Sequence, residues 1–506
     1  MKRLLLTALT ILIVCGVWAQ DKIVLKVTGD NVKLELGGNG RKVDWGDGSV
    51  STENDGKLES MGRSFSHQYS KNKTYTIVVT GNITRFTCER VTREQAHVTS
   101  IDLSKCPELN YLHCGSNKLT SLDVSKCPKL TELSCRYNEI TSLDISKCPD
   151  LTTLYCNDNQ LTRLDVSQCP KLEYIECYSN KLTNLDMSKS PSLKGLSCSR
   201  NQLTNLNLSA CPDLRRLICK DNQLTSIDVS AASGLKALSF SRNRVANLKM
   251  NNRLSLEEFE CDQNQLTNLD LRDYKKLKML DCSANRLTTL IVSGCSALVR
   301  LQCSSNQLST LDLYGCTALE ELQCHTNQLQ TLYLSNNIEK VFCSQNKLDY
   351  LDVSGCANLS YLDVGNNPYL KNISYGSRQP EWLRTAGCPA LSVSDPSGAI
   401  SVNMRNTANG RVTVNPCNCN SEFYIDGDNF RGTGYQFIRI GKVNDLGNVS
   451  KVHRNDSRWS NVVAVTPGYG YVGRCGDQYF RIYVVREMLS AINNGVIGAE
   501  IKYAPL

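Results

Sequence analysis

One interval limits what this chain can fold into: from Asn117 to Asn327 an asparagine recurs every 21 residues without a slip. A short fixed period means a stack of like turns, each meeting only its neighbours. An apolar skeleton repeats with the asparagine, and Leu130, Leu133, Cys135, Ile140, Leu143, Ile145 and Cys148 mark it in one unit. Leu133 and Cys135 alternate with Glu132, Ser134 and Arg136, the period-two pattern of a strand with one buried face. A single turn has too little apolar area to offset the entropy of ordering it, so each must bury its Leu and Cys against its neighbours. The spacing predicts about thirteen such coils. The Asn follows the strand where the chain must bend. Its amide is expected to satisfy backbone groups left open there, and to pair with the Asn above and below.

The chain has 25 cysteines, and most form two columns. One occupies the strand, from Cys114 and Cys135 through Cys219, and again from Cys261 to Cys343, with Phe240 standing in once. The other lies at the far turn, as in Cys106, Cys127, Cys148 and Cys169. Stacked strands hold equivalent Cβ atoms about 4.8 Å apart, beyond the roughly 3.8 Å of a disulfide. The columns therefore read as unpaired, buried thiols, and Phe240 indicates that the position requires apolar volume rather than sulfur chemistry. No His stands at ligand spacing beside them, so no metal or other cofactor is expected.

The unit with Leu-Asp-Val-Ser-x-Cys-Pro and a strand cysteine resembles the leucine-rich repeats of bacterial surface proteins, and is most similar to the cysteine-ladder subclass of the internalin family. The resemblance implies a curved leucine-rich-repeat solenoid in a mainly β chain, working by binding other molecules. Residues 1–19 read as a secretory signal peptide: Lys2 and Arg3, then an apolar run from Leu4 to Val17, then Ala19. Val14 stands before Cys15 where a lipoprotein signal wants a small residue. Losing Lys2 and Arg3 takes the formal charge from +8 to +6, a mild excess that does not argue for nucleic acid. No transmembrane span is expected in the mature chain.

Residues 20–81 read as a small β-domain. Val43-Asp44-Trp45-Gly46-Asp47-Gly48-Ser49, with Phe65-Ser66-His67-Gln68-Tyr69, resembles the signature of a polycystic-kidney-disease-type domain, in which a Gly-Asp-Gly turn and a His-x-Tyr strand enclose a buried Trp. The resemblance implies a β-sandwich-like unit. Asp47 and His67 read as a turn carboxylate and a packed strand histidine. Residues 82–373 are assigned to the solenoid, sealed at its start by the β-domain and shortened to a 19-residue step between Asn327 and Asn346.

Residues 374–506 read as a C-terminal β-rich domain, with strands expected at Ile400–Met404, Arg411–Val414, Phe480–Val485 and Val496–Tyr503. Cys388, Cys417, Cys419 and Cys475 fall outside the columns and are expected to form disulfides, in three connectivities that sequence does not choose between. Asp426-Gly427-Asp428-Asn429 lacks the remaining ligands of a calcium loop and reads as a turn.

Five histidines, none in a metalloprotease or phosphate-loop motif, and no Gly-x-Ser-x-Gly elbow leave no catalytic residue to name. The readable surface is instead the set of positions flanking each strand cysteine. There Tyr111, His113, Glu132, Arg136, Tyr155, Tyr174, Glu176 and Tyr178 are expected to face outward in the early coils, followed by Arg216 and Lys220 and then by acidic Glu258, Glu260, Asp262 and Asp281. The expected partner is a macromolecule met outside a Gram-negative cell, a host surface protein in its most specific form. The alternative is a glycan, held by the tyrosines on a glycan-binding or glycan-processing accessory protein.

Overall fold

A computed structural model describes residues 20–505 apart from 60–61, 91–94, 252–254, 376–379, 392–399, 408–409, 412–422, 427–428, 433–434, 443–461, 465–468, 476–477 and 490–495. From residue 400 onward it describes backbone only. The leader read over 1–19, Cys417, Cys419 and the side chain of Cys475 lie outside the described residues. Among these residues every regular element is a strand, and no helix is long and apolar enough to cross a membrane. The chain is a β-solenoid of about thirteen turns with a period of about 21 residues, and it divides into two compact units that meet in sequence at Leu266 and Thr267.

The first unit opens with β1 (Asp21–Asp44), β2 (Val50–Thr52), β3 (Lys57–Glu59) and β4 (Gly62–Thr87). The short alternating runs expected there are parts of two long bulged strands, β1 and β4, paired antiparallel with Leu25 opposite Ile77 and Val27 opposite Tyr75. Ile23, Leu25 and Val27 alternate inward with Tyr75, Ile77 and Val79. Trp45 is buried, His67 stacks on it at 4.9 Å, and Tyr69 donates its hydroxyl to the Trp45 carbonyl at 2.6 Å. The last residues of β4 are also the first strand of the solenoid, since Phe86 pairs in parallel with Leu112. On the other side β5 (His97–Lys105) pairs with β1, Leu25 opposite Ile101.

From there the coils repeat with fixed register: Leu112, Leu133, Leu154, Ile175, Leu196, Leu217 and Leu238 succeed one another in parallel strands, all buried. The strand cysteines lie beside them, buried and unpaired. Where the column is broken, Phe240 is fully buried against Phe259 at 5.9 Å, so apolar volume is what the site requires. At the far turn the thiols also donate, Cys169 Sγ to the carbonyls of Ile145 and Cys148, both at 3.4 Å.

The bend works differently from the Asn-to-Asn pairing expected above. The residue before each Asn is left-handed, Tyr137 and Asp158 both with φ 53°. Asn159 then accepts from Ile140 N at 3.0 Å and donates to the carbonyls of Cys135, Cys156 and Asn157 at 3.0, 3.2 and 3.3 Å. Each amide thus binds backbone of its own coil and the one before, because a left-handed corner turns both sets of peptide groups toward it. The amides of Asn138, Asn180, Asn201 and Asn222 likewise donate to backbone carbonyls.

The second unit continues the pattern, with Leu301, Leu322, Val341, Leu362 and Leu383 in register. The strand Trp382–Arg384 pairs with Tyr361–Asp363 and changes the reading of Cys388. Instead of joining a disulfide, Cys388 takes the Asn position of this coil: its Sγ donates to Val364 O at 3.1 Å, as Asn367 Nδ2 does to Cys343 O. Farther on, Ile400–Thr407 pairs with Val496–Pro505, which pairs with Gln478–Leu489, then Tyr469–Cys475 and Tyr435–Lys442, all antiparallel. The expected strand at Arg411–Val414 is described only as Gly410–Arg411.

Candidate functional site

Residues three before, one before and one after each strand cysteine emerge on the side of the sheet away from the core. The first column runs Tyr111, Glu132, Thr153, Tyr174, Gly195, Arg216, and the second His113, Ser134, Tyr155, Glu176, Ser197. Tyr174 is 46% exposed and lies across its neighbour, since a Cβ on Gly195 would meet Tyr174 Cδ1 at 3.0 Å. A side chain at residue 195 would need that ring to shift by a few tenths of an ångström. Tyr155, Glu176, Tyr178 and Lys220 are half-buried and Arg216 is exposed. Lys220 is paired with Glu260 at 2.7 Å, so the basic-to-acidic sequence of this face is partly internal ion pairing.

Tyr111 departs from expectation. It is 4% exposed, under the Arg85 guanidinium at 4.0 Å and stacked on His113 at 4.1 Å. Arg85 comes from the end of β4, in register with Tyr111; the repeat places the two side by side but does not dictate that the guanidinium folds over the ring. Burial is the main reason the Tyr111 phenol is pushed up to about 12. Burial also lowers the His113 imidazole, against the opposing pull of Glu132, whose Oε1 meets His113 Nε2 at 2.9 Å. His113 Nδ1 meets Tyr111 OH at 2.9 Å. Arg136 Nη2 reaches over Gly115 to Glu89 Oε1 at 2.8 Å. Tyr111, His113, Glu132 and Arg136 are thus tied into one polar cluster, while Tyr155, Tyr174 and Tyr178 remain the accessible part.

Sequence reasoning missed Tyr137. Strict alternation places it inward, but its left-handed backbone rotates the side chain out, leaving it 50% exposed. It lies beside Tyr178, whose phenol is pushed up to about 12, first by burial and then by its hydrogen bond to Tyr137. The usable signal was the residue's place just before the Asn, where every coil turns left-handed.

The most enzyme-like grouping in the β-domain is Asp47, Ser49 and His67, and its geometry is that of a turn. His67 Nε2 meets Asp47 Oδ2 at 2.8 Å, and the same nitrogen is 3.5 Å from Ser49 Oγ. A relay needs opposite ring nitrogens for serine and carboxylate. Ser49 instead donates its own N–H and hydroxyl to Asp47 Oδ1, at 2.9 and 2.5 Å. These two bonds, and then His67, hold the Asp47 carboxyl well below the usual carboxylate range. A depressed folded value stabilises the fold above the unfolded pKa of about 4 and is lost as pH falls below it. Asp47→Asn is therefore expected to lower the melting temperature at pH 7, with the gap to wild type full above about pH 4 and narrowing as the pH falls toward the depressed folded value; a gap that stays constant in thermal melts from about pH 5 to 2 would contradict the assignment. Among the described residues no group of three or more His, Cys, Asp or Glu side chains is placed to hold a metal ion.

The family described as Leucine Rich repeats (2 copies) matches residues 128–167 and 149–190. No curated protein matches the chain. Among solved structures the chain is similar to the functional domain of InlJ from Listeria monocytogenes, which includes a cysteine ladder, with 24% identity and a TM-score of 0.55 over 81% of this chain and 91% of that one. Lesser similarity is found to YopM from Yersinia enterocolitica WA-314, with 24% identity and a TM-score of 0.43 over 61% and 72% of the two chains. The internalin InlF from Listeria monocytogenes gives 17% identity and a TM-score of 0.42 over 62% and 87%. The chain carries leucine-rich repeats, and its fold is similar to that of the internalin cysteine-ladder domain.

Proposed function

We propose that this is an exported, non-enzymatic interaction protein that docks a protein partner, in its most specific form a host surface protein, on the inner face of the coils from Cys114 to Cys219. The observation that carries this reading is the tyrosine group Tyr137, Tyr155, Tyr174 and Tyr178. Tyr supplies large contact area with few rotatable bonds and is enriched in binding hot spots. The scaffold does not demand it, since equivalent positions in other coils hold Ser, Thr, Gly or Asn. Glu132, Arg136, Glu176, Arg216 and Lys220 surround the tyrosines with both signs of charge, the makeup of a polar rim. The leader-like start of the chain supports a place outside the cytoplasm, secreted or at the cell surface.

Replacing Tyr155, Tyr174 and Tyr178 together with Ala is expected to cost about 3–6 kcal/mol of binding on the hot-spot scale while leaving the melting transition nearly unchanged. The secreted chain is screened on an array of extracellular proteins, and Kd is then measured for wild type and the triple variant on the strongest binder. Unchanged affinity, or collapse of the fold, removes the early inner face as the recognition surface. An array with no binder counts against a protein partner.

A further inference from the structure

We propose that the second unit carries, on the side of its coils away from the cysteine-bearing strands, a separate site for a neutral polysaccharide, built on Tyr314, Tyr333 and Tyr350. These are 84%, 78% and 45% exposed, in three successive coils. Their register follows from the backbone: Gln328 N donates to Leu308 O at 2.8 Å, and Asp349 N to Gln330 O at 3.4 Å. That sets Tyr333 beside Asp312 and Tyr350 beside Thr331. Each step along the series goes one coil onward and two residues back. Leu313, Leu332 and Leu351, each next to one of the tyrosines, are buried, so all three rings point away from the core. One strand spacing combined with two residues of rise makes each step about 8 Å. The result is a diagonal row of rings on an open surface.

The repeat itself shows that the scaffold does not require them. The column of Tyr333 holds Asp270, Ile291, Asp312, Asp352 and Ser374, and each of the three Asp accepts a hydrogen bond from the backbone two residues on. Tyr333 gives up that bond. Tyr314 stands where neighbouring coils have Ser293, Ser335 and Ser354.

The chemistry between the rings selects the ligand. Exposed Thr310, Asp312, Thr331, Asp352 and Asn372 share this face, giving hydroxyls, carboxylates and an amide with no cation among them. Carboxylates at that spacing repel sulfated or uronic-acid chains and anionic lipid. They accept hydrogen bonds from sugar hydroxyls, while the faces of the tyrosine rings cover the C–H faces of sugar rings. A protein hot spot would cluster its aromatics in a desolvated centre, whereas these stand apart and wet. Three rings spaced along a line suit an extended chain rather than one sugar.

The test is affinity electrophoresis of the full chain through gels containing a soluble β-glucan, an α-mannan or a polygalacturonate. Retardation by at least one neutral polymer and not by the polygalacturonate is expected. Y314A/Y333A/Y350A should weaken it about a hundredfold, roughly the sum of three truncated contacts. Y314F/Y333F/Y350F should keep it, because stacking uses the ring face, and Y155A/Y174A/Y178A should leave it unchanged. No retardation in either neutral polymer, retardation by the acidic polymer alone, or binding that survives the outer triple Ala substitution overturns the proposal. Loss caused by the inner-face substitutions instead would assign the sugar to the other surface and equally overturn it.

Discussion

Asn159→Ala is expected to lower the unfolding free energy by about 2–4 kcal/mol, since it leaves Ile140 N–H without a partner in a closed interior, at about 1–3 kcal/mol, and takes from the Cys135 carbonyl one of its two amide donors, the other being Asn138 Nδ2 at 3.0 Å. The side chain is 9% exposed, so water does not readily replace it. It also bonds two carbonyls of its own coil and holds the left-handed Asp158 in place, a conformation that costs on the order of 1 kcal/mol without such support. Asn159→Asp keeps the shape and the acceptor but turns a donor into a carboxylate facing three carbonyls. At pH 7 it should be at least as damaging as Ala, and it should recover part of the loss once acid protonates the carboxyl. Urea unfolding measures both. A loss under about 1 kcal/mol for Asn159→Ala would mean that the corner is held by the backbone alone.

The strand thiols are expected to resist alkylation in the folded protein by about three orders of magnitude or more. Burial pushes Cys135, Cys177 and Cys219 up to about 12. Against an ordinary thiol near 8.5, that alone cuts the reactive thiolate at pH 8 about a thousandfold, before the closed interior excludes the reagent. Iodoacetamide labelling followed by mass spectrometry, with and without denaturant, reads each site. Cys388 is half-buried and should label first among the described thiols. Rapid native labelling of Cys135, Cys177 or Cys219 would overturn the buried-ladder description. The same experiment bears on export, because an oxidising compartment spares only thiols it cannot reach.

The coils were legible because a strict period is itself the architecture: Leu133 over Leu112 and Leu154 follows once the spacing is known. What escaped was whatever depended on how a side chain folds across to the next coil or on a break in the pattern. The burial of Tyr111 needs Arg85, which arrives from β4. The exposure of Tyr137 needs a left-handed backbone that overrules alternation. Cys388 lay beyond the last regular interval and looked like a disulfide partner, yet one more parallel strand places it in the asparagine column. Within the recognition surface, the positions were readable from alternation, whereas the division between accessible rings and internally tied charges depended on contacts between coils.

The fixed 21-residue register also bears on how such a gene can change length. Every junction between the Cys114 and Cys219 coils uses the same leucine contacts and the same asparagine bonds. Removing Glu139 through Asn159 would bring the Cys135 coil against the Cys177 coil with Leu133 meeting Ile175, a junction of the kind already present between Leu154 and Ile175. Insertion or deletion of whole 21-residue units can therefore lengthen or shorten the binding face in whole steps. It can shuffle which tyrosines stand side by side without inventing a new interior, so the specificity of this surface can diversify faster than its fold.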